Sequence, residues 1–248
     1  MYMKMENITM NITPYTVPEL IFIVPYRDRV QQRHFFNRQM EYILEDIDQN
    51  QYEIYFIHQC DDHNFNRGAM KNVGFIGMKQ KYPDDYKDIT FIFNDIDTMP
   101  YTKNFINYET TLGVVKHFYG FNNTLGGIVS IKGIDFEKTN GFPNFISGGY
   151  EDNIFHDRVL LHKLHIDRSQ FYPIKDKDML YLSNSDSPVV NKNKNICLKN
   201  IIPDGIVNIK DLIYEVKPEL CEISVSNFKT NVDINKKTRP KSKMSMLL

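Results

Sequence analysis

The sequence predicts an α/β fold built on a mostly parallel central sheet, and three observations carry that prediction. Short apolar runs of strand length alternate with stretches of helical periodicity. Proline, glycine and Asn/Asp clusters punctuate them. Conspicuous polar clusters stand at the ends of the apolar runs, where open α/β sheets bind ligands.

The elements follow in order. "LIFIVPY", Leu20 to Tyr26, reads as a buried strand bounded by prolines. Phe35, Phe36, Met40, Ile43, Leu44 and Ile47 then recur at helical spacing. "YEIYFIHQ" is a second strand, and "RGAMKNVGFIGMKQKY" a second helix interrupted by glycines. "DITFIFND" is a third strand and "LGGIVSIKGIDF" a fourth. "EDNIFHDRVLLHKLHI" has a helical pattern through Phe155, Val159, Leu160 and Leu164. The expected organisation is an extension over residues 1–19, one domain over 20–228 and a basic, aperiodic tail over 229–248.

Composition excludes several classes. The 248 residues are 42% hydrophobic and 25% charged, as in one globular domain. Lys+Arg 30 against Asp+Glu 31 leaves a net charge of -1, without the basic excess of a nucleic-acid binder. Three cysteines, Cys60, Cys197 and Cys221, form no CxxC pair, so neither a disulfide framework nor a zinc site is expected. The early apolar run is too short to span a bilayer, which takes about 20 residues. The first residues lack the pattern of a signal peptide, so the sequons at Asn7 and Asn11 read as chance matches. The expectation is a soluble, cytoplasmic chain.

The polar clusters admit more than one reading. "FNDIDTMP" ends a strand on Asp95 and Asp97. If the extended backbone continues, the two carboxylates share a face and need a cation or donor between them. Alternatively they open a turn. Arg27 and Arg29 in "PYRDR" suit a diphosphate, or pair at the surface with Asp28 or Glu41. Phe65 and Arg67 in "FNR" offer a stacking face and an anion partner, or ordinary packing. Glu151 and Asp152 in "GGYEDNIF" suit a helix dipole and lower in pKa there, unless burial raises a base among them. No P-loop, dinucleotide fingerprint or HExxH is present. His162 and His165 stand three apart on the expected helix, which permits a metal but suits a solvated face.

In order, "IFIVPYRDR", "FNRGAMKNVGF", "FIFNDIDTMP", "LGGIVSI", "NGFPNFISGGYEDNIF" and "PDGIVNIKDLIYEV" resemble the β-1,4-galactosyltransferase family. That family carries PFRNR, FNRAKLLNVGF, a DVD motif followed by proline, FGGV, NGFPN with a GEDD loop, and a late DGL segment. The resemblance runs from Leu20 to Val216. It implies a GT-A fold, a UDP-sugar donor, a glycan or glycoconjugate acceptor, manganese, and inversion at the anomeric carbon. Pro25, Arg27 and Arg29 would line the uridine diphosphate site, with Phe65 against uracil and Arg67 near the phosphates. Asp95 would face the nucleotide and Asp97 would bind manganese, with Met179 as a further ligand. Gly126 and Gly127 would let backbone approach the donor sugar. Glu151 would hold a sugar hydroxyl, and Asp152 would be the catalytic base.

Three differences set the chain apart from the family pattern. The counterpart of the family's Met-x-x-His is "DMLYLSN", which offers Met179 but Tyr181 or Leu182 where histidine would stand, with Asp178 a candidate substitute. The family's loop tryptophans align with Ile146 and Gly148, leaving Tyr150 as an aromatic face. Thr124 stands before "LGG" where galactose users carry tyrosine, leaving room for an N-acetyl group. Clustered acids and arginines also suit a metal-dependent phosphoryl or nucleotidyl transferase. A sugar- or nucleotide-binding module descended from a glycosyltransferase is the non-enzymatic alternative.

Overall fold

The computed structural model describes residues 16–144, 150–182 and 204–230. Asn7, Asn11, Ile146, Gly148, Cys197 and the tail from 231 onward lie outside them. Strand β1 (Leu20–Tyr26) sits near the centre, with β2 (Tyr52–Gln59) and β3 (Thr90–Asn94) parallel on either side. β11 (Glu222–Lys229) continues the parallel set beyond β2, and β10 (Lys210–Lys217) closes that edge antiparallel.

On the other side the direction reverses. β6 (Ile128–Lys132) runs antiparallel to β3 and to β5 (Val114–Gly120). β7 (His165–Asp167) and β8 (Tyr172–Pro173) pair in parallel with β5. The sheet is therefore parallel along its first half and mixed along its second. β5 went unpredicted, and "LGGIVSIKGIDF" is not one strand, because it turns into helix α3 (Gly133–Lys138) after Lys132. A separate pair, β4 (Thr98–Pro100) with β9 (Met179–Tyr181), lies beyond the end of β3.

Period-two alternation in β1 divides the core. Ile21 and Ile23 pack with α2 (Arg67–Lys81), while Leu20, Phe22 and Val24 pack with α1 (Val30–Ile43). The result is three layers, helix on sheet on helix. On α1, Phe36 and Met40 are fully buried, but Phe35 is 43% exposed. A full stripe of predicted positions is wider than the face the sheet covers. The α2 glycines allow close approach: a Cβ at Gly74 would lie 2.5 Å from Ile23, and one at Gly68 2.1 Å from the Pro143 carbonyl.

Helix α4 spans Glu151–Leu161, burying Ile154, Phe155 and Val159. Leu160 points outward, 52% exposed, and Leu164 is buried only after the helix has ended. His162 caps the helix, Lys163 takes a φ of 58°, and His165 begins β7. The predicted helical histidine pair does not form.

Candidate active site

Seven predicted residues meet at the C-terminal ends of β1 and β3. Pro25, Arg27, Arg29, Phe65, Arg67, Asp95 and Asp97 line a cavity of about 340 Å³ with Tyr26, Asp28, Asn64 and Ile96. A larger hollow of about 610 Å³ near the β10 edge is lined by His58, Cys60, Lys217 and Glu222, among others. Its acid is structural. Burial pushes the Glu222 carboxyl up, but hydrogen bonds from Ser224 and Tyr26 and the Arg33 charge bring it down to about 2.

The two arginines of "PYRDR" separate in role. Arg27 is buried, its Nε donating to the Gln59 carbonyl at 2.9 Å and a terminal nitrogen pairing with Asp61 at 2.6 Å. It also donates to the carbonyls of Asp61 and His63. Its donors hold the 59–63 loop beside the cavity. Arg29, half-buried at the N-cap of α1, has no ion-pair partner among the described residues.

The acid pair forms a turn, not a strand continuation. β3 ends at Asn94, whose side-chain amide donates to the carbonyls of Asp95 and Thr98 at 2.8 and 2.7 Å. Asp95 N–H donates to Gly127 O at 2.9 Å, and Thr98 N–H closes onto Asp95 O at 3.1 Å. Ile96, between the acids, is buried in the α1-side core. Burial raises the Asp97 carboxyl above its usual range and the Asp95 charge raises it further. Asp95 Oδ1 is buried and accepts no hydrogen bond from any described residue. Arg67 Nε and Lys71 Nζ stand off from it at 3.5 and 3.6 Å.

The remaining residues join this group from β6 and α4. Gly127 has a φ of 70°, and a Cβ there would lie 2.3 Å from the Tyr119 carbonyl, so this turn requires glycine. A Cβ at Gly126 would lie 2.1 Å from Asp152 Oδ2. Leu125 N–H donates to the Asp152 carbonyl at 3.1 Å, tying the glycine turn to the first turn of α4. Glu151 is buried, with Oε1 paired to Arg67 at 3.1 Å and Oε2 accepting from Tyr150 N–H at 3.1 Å. Asp152 keeps 26% of its side chain exposed. Burial raises its carboxyl, with Glu151 and Asp95 adding to the effect against Lys71 and Arg67, up to about 7. Burial is the largest influence on this carboxyl. Thr124 is nearly buried, its hydroxyl turned back onto the Phe121 carbonyl at 3.1 Å.

Several supporting residues were missed. Asn66 caps α2 and donates to the Asn144 carbonyl at 2.7 Å. Asn72 donates to Phe142 O at 2.7 Å and to Asn144 Oδ1 at 2.8 Å. Asn144 donates in turn to Asp204 and Gly205. This buried network binds "FNR", "NGFPN" and "PDG" into one support. His117 is fully buried, its Nε2 within 3.0 Å of Tyr119 O and 3.1 Å of Gly126 O, and its Nδ1 accepts from Arg168 at 3.1 Å. Burial lowers its pKa to about 4, so it stays neutral beneath the glycine turn.

Asp95 and Asp97 fit a divalent cation by two criteria: a buried carboxylate oxygen without a hydrogen bond, and a neighbouring acid whose charge is disfavoured. Among the described residues no third Asp, Glu, His or Cys completes a metal cluster with them. Leu182, at the place of the family's histidine, lies beside the acids and donates its N–H to the Asp97 carbonyl at 2.8 Å. Met179 packs with Ile96, Met99 and Phe118 in the α1-side core. A carboxylate site finished by substrate phosphate oxygens is the usual arrangement for such cations.

The chain matches two adjoining family models. Residues 14–109 match the N-terminal region of glycosyl transferase group 7, and residues 110–181 match the N-terminal domain of galactosyltransferase. The chain belongs to the β-1,4-galactosyltransferase family. Among its relatives, a xylosylprotein 4-beta-galactosyltransferase of Caenorhabditis elegans is 31% identical over 159 residues, covering 60% of this chain and 53% of its own. A beta-1,4-galactosyltransferase 4 of Cricetulus griseus is 33% identical over 170 residues, covering 61% of this chain and 45% of its own. The chain spans about half the length of these curated relatives. The crystal structure of the catalytic domain of Drosophila beta-1,4-galactosyltransferase 7 with xylobiose superposes with a TM-score of 0.68 at 22% identity. That superposition covers 88% of this chain and 96% of the other, and the fold is GT-A. A mutant of the same Drosophila protein is in complex with manganese, UDP-Gal and xylobiose. Among the described residues no helix is long and apolar enough to cross a membrane.

Proposed function

We propose that residues 20–228 form the catalytic domain of an inverting glycosyltransferase, which moves a hexose or N-acetylhexosamine from a UDP-sugar to a hydroxyl of a glycan or glycoconjugate. One observation carries this reading: Asp152, raised to about 7, stands against Gly126 and one turn of chain from the Asp95–Asp97 cavity. A carboxylate with that pKa is matched to taking a proton near neutral pH.

In the proposed reaction, the acceptor hydroxyl attacks the anomeric carbon from the face opposite the diphosphate. Its proton passes to Asp152 as the new glycosidic bond forms, and the bond to the diphosphate oxygen breaks with its electron pair leaving on UDP. Glu151, fixed by Arg67, would hold a sugar hydroxyl. Phe65 would pack against uracil, and Arg29 and Arg67 would face the phosphates. Manganese or another divalent cation held at Asp97 would stabilise the charge of the departing diphosphate. Support for these ligands comes from the relatives' names and from the manganese, UDP-Gal and xylobiose of the Drosophila complex.

Thr124 supports a roomier donor site than tyrosine would leave, so UDP-N-acetylhexosamines should be used at least as well as UDP-galactose. The deciding assay is UDP release from UDP-galactose, UDP-glucose and both UDP-N-acetylhexosamines, with and without manganese. Metal-dependent release from one donor, lost in Asp97→Ala and Asp152→Asn, is the expected result. Strict galactose preference would overturn the donor assignment. The burial of Met179 and the leucine at 182 favour a second reading, a UDP-sugar-binding module, which predicts binding without turnover.

A further inference from the structure

Lys71 is the buried charge that the reaction above leaves unused. Its side chain is 1% exposed, and it enters from the middle of α2 with Nζ 4.5 Å from the Phe142 ring centroid. Nζ lies 3.4 Å from Asp152 Oδ1 and 3.6 Å from Asp95 Oδ1. The family segment FNRAKLLNVGF has leucine at the corresponding place. An ammonium buried there costs considerable desolvation, so it is maintained only by its partners.

We propose that Lys71 is a positioning residue, which clamps the donor-side acid Asp95 to the base Asp152 and leaves Asp152 Oδ2 as the proton acceptor. The geometry divides the Asp152 carboxylate. Oδ1 is held by the ammonium, whereas Oδ2 is the atom pressed against Gly126, where the resemblance brings the donor sugar. Lys71 also supplies a fixed positive charge between the two acids, beside the Arg67 guanidinium that stands 3.5 Å from Asp95 Oδ1. The charged groups around Asp152 are Lys71 and Arg67 from α2, Glu151 from α4 and Asp95 from the end of β3. Removing Lys71 shifts that balance toward repulsion, and the base then holds its proton to higher pH.

This role rests on the glycosyltransferase reading, and the test separates the two. Lys71→Leu gives the site the family's residue, and Lys71→Arg keeps the charge. UDP release is measured from pH 5 to 9 with the donor the wild-type chain turns over fastest, alongside calorimetric titration with UDP and manganese. For Lys71→Leu we expect kcat to fall about 10- to 100-fold at pH 7, with recovery toward wild type as pH rises. UDP affinity should stay within about threefold, and Lys71→Arg should restore part of kcat. Unchanged kcat and pH profile in Lys71→Leu would overturn the role of Lys71 alone. So would a loss that does not recover with pH and is accompanied by lost UDP binding. Absence of turnover in the wild-type chain with every donor would remove the enzymatic reading and this role together.

Discussion

Asp152 Oδ2 occupies the space that a side chain at Gly126 would enter, 2.1 Å from where its Cβ would stand. The glycine of "LGG" at 126 thus seats the proposed base, while its neighbour meets the backbone and ring of Tyr119. The two glycines should respond differently to alanine. Gly126→Ala must displace a carboxylate, and kcat/KM is expected to fall about 100-fold with the melting temperature nearly kept. Gly127→Ala must fit a φ of 70° and a carbonyl at 2.3 Å, so a loss of about 2 kcal/mol or more in stability is expected. Urea melts beside UDP-release kinetics separate the two.

The carboxyl of Asp152, raised to about 7, predicts the acid side of the rate profile. kcat/KM should rise with pH and level off above about 7, because the free enzyme must lose that proton first. Asp152→Asn should lower kcat by about 10²–10⁴ and abolish this limb. A limb that survives the substitution would assign the proton to another group.

His117 predicts a pH effect on stability. Its folded value is lowered to about 4, against about 6.5 for an unperturbed histidine. Between those values the unfolded chain binds a proton that the folded chain does not, so stability falls as pH falls through that window. The full effect is on the order of 3 kcal/mol. Asp152 acts in the opposite direction, because its raised folded value gives stability that is lost as pH climbs from about 3.9 toward about 7. His117→Gln should therefore flatten the acid-side loss seen in wild type, in urea melts at pH 7, 5.5 and 4. An unchanged slope would mean that His117 titrates normally.

Arg27 and Arg29 should separate binding from folding. Arg27→Ala leaves Asp61 buried without its cation, costing about 3 kcal/mol in a denaturant melt. Arg29→Ala should leave the melt unchanged and weaken UDP binding about tenfold, the scale of one lost charge-assisted contact. Calorimetry and melts on both variants check the assignment.

Sequence patterns reached different parts of the molecule unequally. β1 was legible because both its faces are covered, so its residues are apolar almost throughout, and α2 because its apolar residues and glycines recur along a helix buried over most of its length. Leu160 and Phe35 misled, since spacing alone cannot say how wide a stripe the sheet will cover. The reversal at β6 left no local trace, because a buried strand reads alike in either direction. The cavity arginines and acids were found from residue type, and the family pattern supplied their order. Lys71 was hidden inside a helical run whose other lysines pair with acids near the surface, and its partners lie 24 and 81 positions away in Asp95 and Asp152. Asn72, Asn144 and Asp204 were equally silent, for their pairing exists only after the chain has closed.

The bond from Asp95 N–H to the Gly127 carbonyl has one more consequence. It joins the segment that carries the acids to the glycine turn, which Leu125 in turn ties to the base on α4, across the antiparallel step from β3 to β6. The bond itself spans no more chain than the pairing of Leu20 with Tyr52 in β1 and β2, but the pairing of Arg67 with Glu151 and of Lys71 with Asp152 joins residues 84 and 81 positions apart, and contacts that distant form late and slowly. Competence to hold a nucleotide therefore marks the finished molecule. A newborn or half-unfolded chain would display the arginines and acids without the alignment that makes them a site, and so would not sequester donor before it could use it.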